Sequence, residues 1–121
     1  MIDLAKCIEF LKKKEEKRLK KEEELKSKIR EKLKNIGSIF QKYKEVEFAY
    51  LFGSFIKGNF SEFSDIDIAI NKVDTQSFFD LWKDLEELLD WNVDLKEFKK
   101  GSNFEKIVKK NGILIYERRK N

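Results

Sequence analysis

Residues 53–67 read GSFIKGNFSEFSDID, and the end of that segment leaves the chain few options. Asp65 and Asp67 alternate with apolar residues in a run that continues through Ile66, Ile68, Ala69 and Ile70. Alternation at period two describes a strand, and it sets both carboxylates on one face with Cα atoms roughly 6.5 Å apart. Upstream, residues 46–52 (VEFAYLF) form a β-rich apolar run that reads as a central strand. Gly53-Ser54 ends it, and a short helix is expected there with Ser54 near its N-terminus. Two aimed carboxylates beside a small Gly-Ser turn are what a site needs to hold a divalent metal and a nucleoside triphosphate.

The remaining elements follow from periodicity. Residues 3–44 lack proline and are rich in helix formers. Leu4, Ile8 and Leu11 make one apolar stripe, and Leu25, Ile29, Leu33, Ile36, Phe40 and Tyr43 make a second. The polar stretch between them offers only Leu19, and is either solvated helix in one rod or the point where two helices separate. A helix capped within residues 74–77 should run to about Leu89, with Leu81, Leu85 and Leu89 on its apolar side. Val93-Asp94-Leu95 begins a third strand. Ser102 can cap a helix over residues 103–110 that Asn111-Gly112 stops, and residues 113–116 make a last strand. The tail ERRKN is expected to fray.

Composition excludes several chemistries. The 121 residues, enough for one domain with a core, include no histidine and a single cysteine, Cys7. Ser-His-Asp and Cys-His catalysis, histidine metal sites and an internal disulfide are all ruled out. A metal here must be held by oxygen, which favours magnesium or manganese over zinc. No apolar run approaches membrane-spanning length and the N-terminus has no signal-peptide pattern, so the chain is expected in the cytoplasm. Charge is segregated. Residues 1–45 carry 15 Lys and Arg against 9 Asp and Glu, residues 46–95 carry 3 against 11, and residues 96–121 carry 9 against 3. The basic flanks are read first as solvated helix faces and second as surfaces for phosphates, RNA or an acidic partner.

Nucleotidyl transfer would use such a middle segment. Negative charge accumulates on the α-phosphate and the leaving group, and two metal ions about 4 Å apart neutralise it. Asp65 and Asp67 supply two ligands. Asp94, an acid between apolar neighbours on a predicted strand, is the natural third, set against the plainer reading of an exposed acid at a sheet edge. Gly53 allows a phosphate close to the backbone, and Ser54 can hold phosphate oxygens at a helix N-terminus. Lys57 is placed either to add charge at a phosphate or to serve as an ordinary surface lysine.

Taken together, Gly53-Ser54, then Asp65-x-Asp67, then Asp94 on a later strand resemble the minimal nucleotidyltransferases of the DNA polymerase beta superfamily. The text YLFGSFIKGNF, SDIDIAI, VDL and GILIY carries the resemblance over about residues 28–117. It implies an α+β fold with a short mixed sheet and packed helices, over residues 28–121. A basic helical extension, residues 1–27, precedes it. It also implies Mg²⁺-dependent use of ATP or another nucleoside triphosphate, with two ions and Mn²⁺ as a substitute. Gly53 and Ser54 would meet the nucleotide, with Lys57 the candidate the sequence itself adds there, and Asp65, Asp67 and Asp94 would form the metal triad and catalytic set. Members of this size often pair with a small helical HEPN protein as antitoxin, in some cases adding AMP to a tyrosine of the toxin. The chain departs from common members in having Phe55 and Lys57 where many have Arg, and in its longer N-terminal helix. That helix is a candidate partner or homodimer surface. No acceptor-binding domain fits in what remains, so the acceptor is expected on another protein. A non-catalytic binding module is the second reading, and a nucleic-acid-directed transferase the third.

Overall fold

The computed structural model describes residues 3–119. The elements run α1 (Leu4–Leu33), α2 (Ile36–Gln41), β1 (Phe48–Phe52), α3 (Ser54–Lys57), β2 (Ile66–Asn71), α4 (Thr75–Leu89), β3 (Val93–Phe98), α5 (Asn103–Asn111) and β4 (Ile113–Glu117). The four strands form one sheet in the order β3-β2-β1-β4. β1 is antiparallel to both β2 and β4, while β2 and β3 are parallel. The sheet is therefore mixed, because α4 carries the chain from the end of β2 back to the start of β3.

The period-two pattern divides the sheet into two faces. Ala49 and Leu51 of β1, Ile66, Ile68 and Ile70 of β2, and Val93 and Leu95 of β3 are buried in the main core. Ile29 of α1, Ile36 and Phe40 of α2, and Leu81, Leu85 and Leu89 of α4 complete that core. Each such buried aliphatic contributes roughly 1.5–3 kcal/mol. The opposite face carries a smaller cluster in which Ala69, Phe98 and Val108 are buried, with Phe48, Tyr50, Phe52 and Phe104 against them. α5 covers only part of this face, and Asp67 and Asp94 lie on it.

Helix starts fall where their caps are. Asp74 accepts from the Ser77 amide at 2.9 Å, and Ser102 from the Glu105 amide at 3.2 Å. α1 settles the question left open by its polar middle: it is one unbroken helix of 30 residues, about 45 Å long. Ion pairs such as Lys13–Glu9 and Arg18–Glu15 line the polar stretch. The break comes later, at Lys34 and Asn35. Leu25, Ile29 and Leu33 dock on the core, whereas Leu4, Ile8 and Leu11 stay exposed at 70%, 54% and 61%.

Two expectations are corrected. The first strand starts at Phe48, two residues later than its hydrophobicity suggests. Val46 is buried, but the amides of Glu47 and Phe48 donate to the Asn71 side chain at 2.8 and 3.2 Å rather than to a ladder partner. The C-terminal tail is pinned as far as Arg118. Its guanidinium donates to the carbonyls of Val46, Tyr43 and Phe40 at 3.0, 3.0 and 3.3 Å. Lys120 and Asn121, also included in that expectation, lie outside the described residues.

Candidate active site

Register brings the acids of two strands together. Asp67 of β2 sits opposite Asp94 of β3 in the parallel ladder, and opposite Phe52 of β1 in the antiparallel one. Residues opposite one another share a face, so the two carboxylates lie side by side with the end of β1 beside them. Asp65 lies just before β2, exposed, and close enough for its charge to act on Asp67. Among the described residues, no three Asp, Glu, Cys or His side chains stand as a metal-ligating cluster.

Gly53 follows Phe52 directly and comes into contact with Asp67. Its φ of +74° and ψ of −151° belong to a region that only glycine adopts readily. A Cβ built on it would fall 2.0 Å from Asp67 Oδ2 and 2.8 Å from Cγ. A glycine is thus required here by both backbone and neighbour. Ser54 opens α3, half-buried, where helix geometry leaves the first amides without acceptors in their own helix. Lys57 is exposed in the last turn of α3, at the end away from Gly53. Gly53, Ser54, Asp67 and Asp94 therefore lie together at the β1–α3 turn, Asp65 stands at its rim, and Lys57 is exposed at the far end of the short helix.

The electrostatics match the geometry. Burial pushes the Asp67 carboxyl above the ordinary carboxylate range, and the Asp94 charge adds to it, with smaller contributions from Asp65 and from hydrogen bonding to Asp94. Lys96 pulls it the other way. Lys96 Nζ lies 3.5 Å from Asp94 Oδ2. This lysine was missed in the sequence, although it stands two residues after Asp94 on a strand and so shares its face.

Two close carboxylates in a chain with no histidine, and with its one cysteine far away on α1, suit a hard cation. Mg²⁺ commonly takes one or two carboxylates and completes its shell with water and substrate phosphates. The Asp67–Asp94 pair fits that pattern without a third acid in place.

Comparisons with known proteins follow the same line. The family model described as "Polymerase beta, Nucleotidyltransferase" matches residues 31–121. No curated protein sequence matches the chain. Among solved structures, a chain from a mutant of the toxin–antitoxin pair MntA–HpeT is similar with a TM-score of 0.58 and 22% identity, over 72% of this chain and 74% of that one. A chain from a toxin–antitoxin structure with AMP-PNP matches with a TM-score of 0.52 and 25% identity, over 78% and 74%. A chain from the tri-AMPylated Shewanella oneidensis HEPN toxin in complex with MNT antitoxin matches with a TM-score of 0.53 and 23% identity, over 74% and 73%.

Proposed function

Since the chain belongs to the polymerase beta nucleotidyltransferase family, we propose that it moves a nucleoside monophosphate from a triphosphate to a hydroxyl on a partner protein. AMP is the favoured group, and the favoured partner is a small helical HEPN-type toxin that this chain restrains as antitoxin. The observation that carries the reading is the Asp67–Asp94 pair in register beside the Gly53 turn. Support for the nucleotide comes from the similar structure with AMP-PNP, and for the acceptor from the AMPylated HEPN toxin beside its MNT antitoxin. Residues 28–121 would form the transferring domain and residues 1–27 its extension.

Each residue then has a task. The Ser54 hydroxyl and the amides at the start of α3 hold phosphate oxygens, with Gly53 letting them approach. Asp67 and Asp94 would hold Mg²⁺, or Mn²⁺ in its place, with Asp65 adding negative charge from the rim; the ion when bound neutralises charge on the α-phosphate and the departing pyrophosphate. Asp94, beside Lys96 and on the edge strand β3, takes the proton as the acceptor oxygen bonds to the α-phosphorus. The bond from that phosphorus to the bridging oxygen breaks, and pyrophosphate carries away the electron pair. Lys96 holds the Asp94 carboxylate and adds positive charge to the same face.

The test is transfer of label from α-labelled ATP to a small helical HEPN-type protein in the presence of Mg²⁺. Asp65→Asn combined with Asp67→Asn should abolish it, and continued labelling by that variant would remove these acids from the mechanism. A binding-only antitoxin is the second reading, favoured by the exposed Leu4, Ile8 and Leu11 on α1. That reading is adopted if the Asn variant still protects cells and Asp at those three positions does not.

A further inference from the structure

Glu22 is the one buried charged side chain among the described residues, 8% exposed in the middle of an otherwise solvated stretch of α1. Its Oε1 accepts the Phe60 amide at 2.6 Å, across 38 residues of chain. Its Oε2 lies 3.7 Å from the Arg18 guanidinium, which Glu15 holds in turn at 2.7 Å. We propose that Glu22 is a positioning residue for the active site: it ties the loop of residues 58–65 and through that loop sets the Gly-Ser turn and the acids. This rests on the transferase reading above.

Phe60 is where the parts of the site meet. Its ring is buried, edge-on to Phe55 at 5.2 Å and tilted against Trp91 at 5.6 Å. Phe55 follows Ser54 in α3, and Lys26 of α1 lies over its ring at 5.5 Å. Trp91 donates from Nε1 to the Ser64 carbonyl at 2.6 Å, one residue before Asp65. The next residue, Asn92, accepts the Ile66 amide at 2.9 Å, between Asp65 and Asp67. One tether on Phe60 thus reaches the phosphate turn on one side and the starts of β2 and β3 on the other. The loop needs an outside hold, because Gly58 and Asn59 both take positive φ, at +107° and +64°, just before Phe60. A carboxylate on a buried backbone amide is a charge-assisted bond, and its loss strands the amide.

The full chain is compared with Glu22→Ala, Glu22→Gln and the control Glu23→Ala. Amide exchange is followed at Phe60, Ser64, Ile66 and, as a reference in the core, Leu85. Calorimetry with Mg²⁺ and AMP-PNP reads the nucleotide site. In Glu22→Ala the first three amides should exchange about tenfold faster or more while Leu85 keeps its rate. AMP-PNP affinity should fall by the fraction of molecules whose loop is untied, about tenfold once the untied form predominates. Glu22→Gln, which keeps an acceptor, should retain most of both properties, and Glu23→Ala all of them. Unchanged rates at Ser64 and Ile66, equal acceleration at Leu85, or a Gln variant as impaired as Ala each overturns the proposal. Should Glu22→Ala fail to fold, Arg18→Ala decides, with smaller acceleration at the same three amides expected and none refuting the tether. If the unaltered chain binds no AMP-PNP, the transferase reading falls, while the exchange rates still decide the coupling.

Discussion

Gly53→Ala probes the contact that joins the Gly53-Ser54 turn to Asp67. The backbone term comes from φ +74° with ψ −151°, a conformation costing a non-glycine residue about 1–3 kcal/mol. The steric term comes from a Cβ placed 2.0 Å from Asp67 Oδ2, 2.8 Å from its Cγ and 3.1 Å from its Cβ. Moving only the carboxylate tip cannot relieve the second of these distances, so the Asp67 side chain must swing away between Phe52 and Asp94. Overpacking of that kind costs roughly another 1–3 kcal/mol. Together they remove about 2–6 kcal/mol from a fold whose class is stable by about 5–15. The two terms separate in a double-mutant cycle read by urea unfolding. In an Asp67→Ala background the Oδ2 and Cγ clashes vanish, and the cost of Gly53→Ala should drop by about 1–3 kcal/mol. Costs that add to within about 0.5 kcal/mol would refute the claim that Asp67 dictates glycine at position 53.

Asp67→Asn should raise stability at neutral pH while abolishing transfer. The folded pKa of Asp67 lies above its unfolded value, so the native state holds the proton more tightly. Its contribution is present below the unfolded carboxylate range and is lost as pH rises through the raised folded value. Thermal melts across the acid range should show that slope in the unaltered chain and a shallower one in the variant; a variant no more stable at neutral pH contradicts the burial and repulsion argument. Arg118→Ala strips donors from three main-chain carbonyls and should cost about 1.5–3 kcal/mol by urea unfolding, against nothing measurable for a frayed tail. Replacing Leu4, Ile8 and Leu11 together by Asp should leave the unfolding free energy within about 0.5 kcal/mol, since all three are exposed; a larger loss would mean that this end of α1 is covered in solution.

What could be read in advance depended on whether the relevant signal is local. Asp67 and Asp94 stand in short alternating runs, and alternation alone assigns a face to each; Asp65, read as sharing that strand face, lies just outside β2 and exposed, because the strand begins at Ile66. Their neighbourhood needed one further assumption, that β3 lies beside β2, and the ladder pairs Asp67 with Asp94 directly. The start of β1 was misread because hydrophobicity marks burial and not pairing: Val46 is as buried as any strand residue, yet Asn71 takes the amides that follow it. The tail was misread because three carbonyls at the end of α2 and in the turn after it, two of them already accepting a local amide, find a further donor 72 to 78 residues away in Arg118.

Glu22 shows the same limit from the other side. In KKKEEKRLKKEEE nothing distinguishes it from its neighbours, and a charge run is ordinarily a solvated face. Along α1, though, Leu4, Ile8, Leu11, Glu15, Arg18, Glu22, Leu25 and Ile29 follow one another at spacings of four and three. They form a single stripe in which polar residues replace apolar ones for two turns. The apolar stretch from Leu25 onward meets the core, and Glu22 is the first position of the stripe beyond it to meet backbone rather than side chains. A leucine there would leave the Phe60 amide buried without an acceptor, at a cost of about 1–3 kcal/mol, whereas the carboxylate satisfies it and has Arg18 3.7 Å from its second oxygen. The polar middle of α1 is therefore the part of the helix matched to a loop, just as the apolar stretch from Leu25 onward is matched to the core beside α4.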